Sequence, residues 1–143
     1  MRIEKSVVIK RPVDAVFAFV TDMHKVNLWL PVSNIRQLSS SATGVGATFA
    51  QTAEFMGQRF DMTIETTEYE PPRVFAFKMI QGPFPLTTKM VFAPLNGDTN
   101  LTMIGEAEPG KGLKLAGPFL STIVKKQLEN QVNALKRAVE AEA

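Results

Sequence analysis

Residues 59–69, RFDMTIETTEY, alternate apolar and polar positions: Phe60, Met62 and Ile64 fall on one side, and Arg59, Asp61, Thr63 and Glu65 on the other. After EPPR at 70–73, the stretch VFAFKMI at 74–80 repeats the pattern, with Phe75, Phe77 and Met79 on one side and Lys78 on the other. A period of two with one apolar side marks strands of an antiparallel sheet that is covered on one face. The same period predicts strands over 33–40 (weakly), 47–55, 58–70, 74–80, 86–94 and 99–109. Turn signals separate them: two glycines in SATGVG, Gly57, Pro71-Pro72, QGPFP, and Asn96-Gly97, a strong hairpin pair.

The ends of the chain read differently. RIEKSVVIK at 2–10 is rich in β-branched residues and predicts a first strand. Pro12 then opens a short helix whose apolar face is Val13, Val16, Phe17 and Val20. DMHKVNLWLP predicts a second short helix, with Asp22 as N-cap and Pro31 as stop. From Gly110 onward the pattern is helical, with Leu120, Val124, Leu128, Leu135 and Val139 on one face and Pro118 opening or kinking the helix. The prediction is an α+β fold: about seven strands in an antiparallel meander, two short helices after the first, and one long C-terminal helix against the sheet.

That order resembles the helix-grip fold of the START/Bet v 1-like (SRPBCC) superfamily, specifically its bacterial polyketide cyclase/dehydrase-like branch. The cues are IEKSVVIKRPVDAVFAFVTD at 3–22, NLWLP at 27–31 and the terminal LENQVNALKRAVEA, and the resemblance spans the chain, 1–143, as a single domain. It implies a deep apolar cavity between a curved sheet and the C-terminal helix. Members of the superfamily include lipid, sterol, quinone and plant-hormone carriers, aromatase/cyclases and chaperone co-regulators, so the resemblance implies binding without naming an activity.

The alternating aromatics and methionines admit two readings at this point. They fill a core, or they line a cavity that a ligand fills. Methionine suits an adaptable pocket, and Gln51 and Thr88 are isolated polar groups on an apolar face. The cavity reading places Phe49, Gln51, Phe60, Met62, Phe75, Phe77, Met79, Thr88, Met90, Phe92 and Met103 on the sheet's inner side. It takes Phe119, Leu120, Ile123 and Gln127 from the helix, and sets Trp29 and a polar contact from His24 at the mouth. The expected occupant is a hydrophobic small molecule or lipid. One burying about 300 Å² would gain on the order of 7 kcal/mol before binding costs. The loops at 82–85 and 108–118 are the candidate gates.

Composition narrows the chemistry. The 143 residues carry a formal charge of only +2, and the pI near 9.0 comes without a basic run, so no nucleic-acid partner is expected. There is no cysteine and one histidine, His24, which rules out thiol nucleophiles and Cys-based zinc and leaves no His-based metal set; no cofactor is expected. Asp61, Glu65, Lys78 and Lys89 fall on the outer face, Tyr69 reads as a turn anchor, and no inward ionisable group stands out for catalysis. A cyclase/dehydratase-type enzyme and a protein-interaction module are the alternatives. No apolar run is long enough to span a membrane and no signal peptide is visible, so a cytoplasmic protein is the expectation. Phe55 and Met56 beside Gly57 are the candidate contact for a homodimer.

Overall fold

The computed structural model describes residues 2–55, 57–82, 85–107 and 120–142, with only the backbone described at Phe55, Leu120 and Ser121. The elements are β1 (Arg2–Ile9), α1 (Val13–Thr21), a 3-10 helix (Val26–Leu28), β2 (Val32–Gln37), β3 (Thr48–Phe55), β4 (Gln58–Glu70), β5 (Val74–Gln81), β6 (Leu86–Leu95), β7 (Asp98–Ala107) and α2 (Leu120–Glu140). They match the helix-grip order.

The sheet runs β1-β7-β6-β5-β4-β3-β2, every pair antiparallel. Strands β2 to β7 form a meander, and β1 closes on β7 as the edge opposite β2. The Asn96-Gly97 turn between β6 and β7 has φ of 51° and 86°, the paired left-handed conformation that a tight hairpin requires.

Two local expectations need correction. The second short helix is present as a single 3-10 turn, but Asp22 does not cap it. Asp22 ends α1, and its carboxylate accepts the His24 N–H at 2.9 Å. A short polar side chain that bonds the backbone two residues on favours a turn over helix propagation. Tyr69 is core-facing, not only a turn anchor. A register shift at Thr66/Glu68 leaves Thr67 without an opposite residue on β5, so Tyr69 pairs with Phe75 and turns inward. Its ring meets Phe17 edge-on at 5.5 Å. Further irregularities at Thr63/Ile64 and at Ser33/Arg36 bend the sheet.

The core lies between one end of the sheet, α1 and the second half of α2. Val16, Phe17, Phe19 and Val20 of α1 meet Phe92, Leu101, Met90 and Met103 of the sheet, and Leu128, Val132, Leu135 and Val139 of α2 close it. Those four helix positions lie at i, i+4, i+7 and i+11, one stripe of an α-helix.

The end of α2 is tied to the start of the chain. Glu140 accepts the Lys10 N–H at 2.7 Å and the Lys136 ammonium at 2.7 Å, and Arg11 donates to the Glu140 carbonyl. The Lys136 hydrogen bond, then the Lys10 N–H, hold the Glu140 carboxyl below its ordinary range. A lowered folded-state value adds stability above the unfolded value and loses it as pH falls through the folded one. Glu140→Gln should therefore be less stable than the parent at neutral pH. Urea denaturation as a function of pH should show the gap closing below about pH 4.

Candidate functional site

Across the inner face, cross-strand partners form rows. One row is Phe92 and Leu101, the next Phe75, Met90 and Met103; all five are core residues, and of them Phe75 also reaches the cavity wall. The following row is Phe77, Thr88, Gly105 and Ile3, and the last is Leu86 and Ala107. Side-chain size drops where the rows change. Along β7 the inward sequence is Leu101, Met103, Gly105, Ala107; along β6 it is Phe92, Met90, Thr88, Leu86. Among the described residues, nothing lies within 4 Å of where a Cβ at Gly105 would stand. The space beside these small residues is a cavity of about 200 Å³.

Its walls come from most of the fold. The sheet supplies Ile3, Val32, Gln51, Ala53, Phe60, Met62, Ile64, Phe75, Phe77, Met79, Leu86, Thr88, Gly105 and Ala107. The first half of α2 supplies Val124, Gln127, Leu128 and Gln131. The segment from α1 to β2 adds Val20, Met23, Val26, Trp29, Leu30 and Pro31. Among the described lining residues one side chain is ionisable, Glu54, which is exposed and paired with Arg59 at 3.0 Å. An anionic ligand group buried here would find no cation among the described lining residues.

Two buried polar atoms on this wall have no hydrogen-bond partner among the described residues: Trp29 Nε1 and Gln51 Oε1. Trp29 is 7% exposed and Gln51 6%. The other end of the Gln51 amide, Nε2, reaches only the Met62 sulfur at 3.5 Å. An unmet buried donor or acceptor costs about 1–3 kcal/mol. Both stand on irregular backbone or opposite it. Trp29 follows the 3-10 turn, and Gln51 faces the Ser33/Arg36 bulge of β2, where Asn34 has φ of 53°.

The expected site residues divide accordingly. Trp29, Gln51, Phe60, Met62, Phe75, Phe77, Met79, Thr88 and Gln127 border the cavity. Met90, Phe92 and Met103 do not; they are core, because they sit in the rows covered by α1 and the second half of α2. Phe49 packs with Ala47 and Ile64 in a small separate cluster. Ile123 is half-buried off the cavity, because the helix face over it is centred on Val124, Leu128 and Gln131. Of Leu120 only the backbone is described. Phe119 and the 108–118 loop lie outside the described residues, as do Met56 and residues 83 and 84 of the 82–85 turn.

His24 is exposed and borders a different space. A broader, more polar depression of about 790 Å³ lies between α1, residues 22–24, β2 and the Pro71-Pro72 turn, with Asp14, Thr21, Asp22, His24, Gln37 and Tyr69 on its wall. Met23 belongs to both walls. Sequence reasoning missed several lining residues, Gly105, Ala107 and Met23 among them. The signal for the first two was present: small residues at inward positions of a strand that is otherwise Leu and Met.

Comparisons with known proteins agree with this architecture. The family described as polyketide cyclase / dehydrase and lipid transport matches residues 1–140. TTHA0849 from Thermus thermophilus is similar in structure, with a TM-score of 0.84 at 17% identity over 99% of this chain and 98% of that one. A START superfamily protein from Mycobacterium smegmatis gives 0.82 at 18% identity, covering 97% of each chain. The Zhui aromatase/cyclase from Streptomyces sp. R1128 gives 0.80 at 16% identity, over 98% of this chain and 93% of that one. A search of curated protein sequences finds no significant match. With a seven-stranded sheet gripping its C-terminal helix and a family match over nearly its whole length, this chain belongs to the polyketide cyclase/dehydrase and lipid transport family.

Proposed function

We propose that residues 1–143 act as one helix-grip domain that binds an uncharged hydrophobic small molecule or lipid between the sheet and α2, for carriage or sensing. The observation that carries this reading is the apolar cavity with a small polar complement. A ligand site of this kind encloses most of its ligand's surface and orients it through few polar groups. Gln51, Thr88, Gln127 and Trp29 are the orienting groups in this reading, and Met62, Met79, Phe60 and Phe77 are the adaptable wall.

Binding is favoured over turnover because acid–base chemistry needs an ionisable group against the bound molecule. Among the described lining residues only Glu54 qualifies by type, and it faces Arg59 at the surface. A protein-interaction module would fill this space with its own side chains. No described helix is long and apolar enough to cross a membrane.

Native mass spectrometry of the protein purified from a heterologous host tests the reading. The expected result is a stoichiometric adduct that denaturation releases as an uncharged lipid-like or aromatic compound. A clean apo mass, with no thermal shift across a panel of lipids, quinones and polyketides, would overturn it.

A further inference from the structure

We propose that the Met23 side chain is a movable partition between the apolar cavity and the polar depression, and that the ligand is an elongated amphiphile which displaces it. The apolar chain lies in the cavity, and a polar end without negative charge reaches the depression. This rests on the binding reading above and deepens it, giving the ligand's shape and polarity and a residue that sets its length.

Among the described residues, Met23 alone borders both spaces. It also packs against both buried clusters, the main core and the small group of Ala47, Phe49 and Ile64. That small group stands between the spaces. Ile64 lines the cavity, together with Met62 and Phe77 that pack on the group, while Phe49 and the neighbouring Ile35 line the depression. Elsewhere the two sides of the wall are different residues; at Met23 one side chain serves both.

That side chain is placed to move. Met23 is half-buried and lies outside regular structure, between the end of α1 at Thr21 and the 3-10 turn that starts at Val26. Its backbone is held: the Asp22 carboxylate accepts the His24 N–H at 2.9 Å, and the Asp22 carbonyl accepts the Lys25 N–H at 3.0 Å. An unbranched thioether with three rotatable bonds swings aside while the turn stays in place.

Volume and polarity say what the opened space takes. At about 200 Å³ the cavity is smaller than the roughly 300–1,000 Å³ of ordinary small-molecule pockets, and the depression adds about 790 Å³. The cavity wall is almost wholly apolar, whereas Asp14, Thr21, Asp22, Gln37 and Tyr69 border the depression. No lysine or arginine is among the described lining residues of either space, so an anionic end meets two carboxylates and no cation there. A hydroxyl end donates to those carboxylates.

Hexanol, dodecanol and dodecanoate test this, read by displacement of the uncharged fluorophore N-phenyl-naphthylamine from the full chain at neutral pH. Dodecanol should bind at least roughly a hundredfold more tightly than hexanol, since each buried methylene adds roughly three- to fourfold. Met23→Trp, with a bulkier and stiffer side chain in the passage, should cut that gain below roughly tenfold and leave hexanol unchanged. Met23→Ala should tighten dodecanol by roughly threefold or more and leave hexanol unchanged, and it decides alone where Met23→Trp fails to fold. A general loss of packing would not split the two alcohols in this way. Dodecanoate should bind at least roughly tenfold more weakly than dodecanol. The same gain from hexanol to dodecanol in the parent and the folded variants overturns the partition while leaving the cavity reading intact. Equal binding of dodecanoate and dodecanol overturns the seat of the polar end in the depression. Failure of both alcohols to displace the fluorophore, with no thermal shift, overturns the cavity reading and this inference with it.

Discussion

Gly105→Phe should abolish binding of hydrophobic ligands while leaving the fold at least as stable as the parent. Gly105 lies on β7 at an inward position, between Met103 and Ala107, and its cross-strand neighbours Ile3 and Thr88 are cavity wall. No described residue comes within 4 Å of a Cβ placed there, and its backbone is outside the left-handed region, so an L side chain is accepted without backbone strain. A phenyl ring at this position points into the cavity of about 200 Å³ and takes the ligand's volume. Glycine weakens a strand interior, and an aromatic residue strengthens it and adds buried area. Affinity for N-phenyl-naphthylamine should fall by roughly a hundredfold or more, equivalent to about 2.7 kcal/mol, while the thermal midpoint holds or rises. Unchanged probe binding in a folded variant would mean that ligands bind elsewhere, with the polar depression around His24 and Tyr69 the next place to look.

Phe92→Ala should cost about 3–5 kcal/mol of folding stability, whereas Met62→Ala should cost roughly 1 kcal/mol. Both residues are on the sheet's inner face, and their patterns in the chain are indistinguishable. Phe92 is 2% exposed, and its ring meets Phe17 at 5.1 Å in an edge-on pair. Truncating it opens a void in close-packed surroundings that cannot collapse. Met62 is half-buried and already borders empty space, so its removal enlarges a cavity instead of creating one. Native domains have only about 5–15 kcal/mol in hand, so the first change consumes a large part of it. Urea denaturation of the two variants, with equal slopes, measures the contrast directly. Similar losses would mean that the space beside Met62 is packed in solution.

Met23 stands between the two spaces, as the wall common to the apolar cavity and the polar depression. The chain before it is α1, held in the core by Phe17 and Val20, and the chain after it turns on the Asp22–His24 hydrogen bond.

Local patterning determined the elements of this protein. Period-two alternation marks β3 to β7, β-branched residues mark β1, a helical stripe marks α2, and Asn96-Gly97 marks a hairpin. These signals depend on residues close in sequence, which is why they can be read from the chain alone. The inner face of each strand was legible for the same reason, since alternation survives until something interrupts it. The bulge at Thr66/Glu68 is such an interruption. It turned Tyr69 inward, and no local residue type announced it.

What the tertiary structure alone decided is which inner-face residues are core and which are cavity. Phe92, Met90 and Met103 carry the same local pattern as Phe77, Met79 and Met62. They differ in what lies opposite. α1 and the Leu128–Val139 stripe of α2 cover the first set, while the second faces Val124, Gln127 and Gln131 across a gap. That gap exists because Gly105 and Ala107 stand in register beside Thr88 and Leu86. Register between strands and the seating of a helix on them are long-range packing outcomes. Periodicity within one segment cannot encode them, because it states which side a residue faces and not what it meets there.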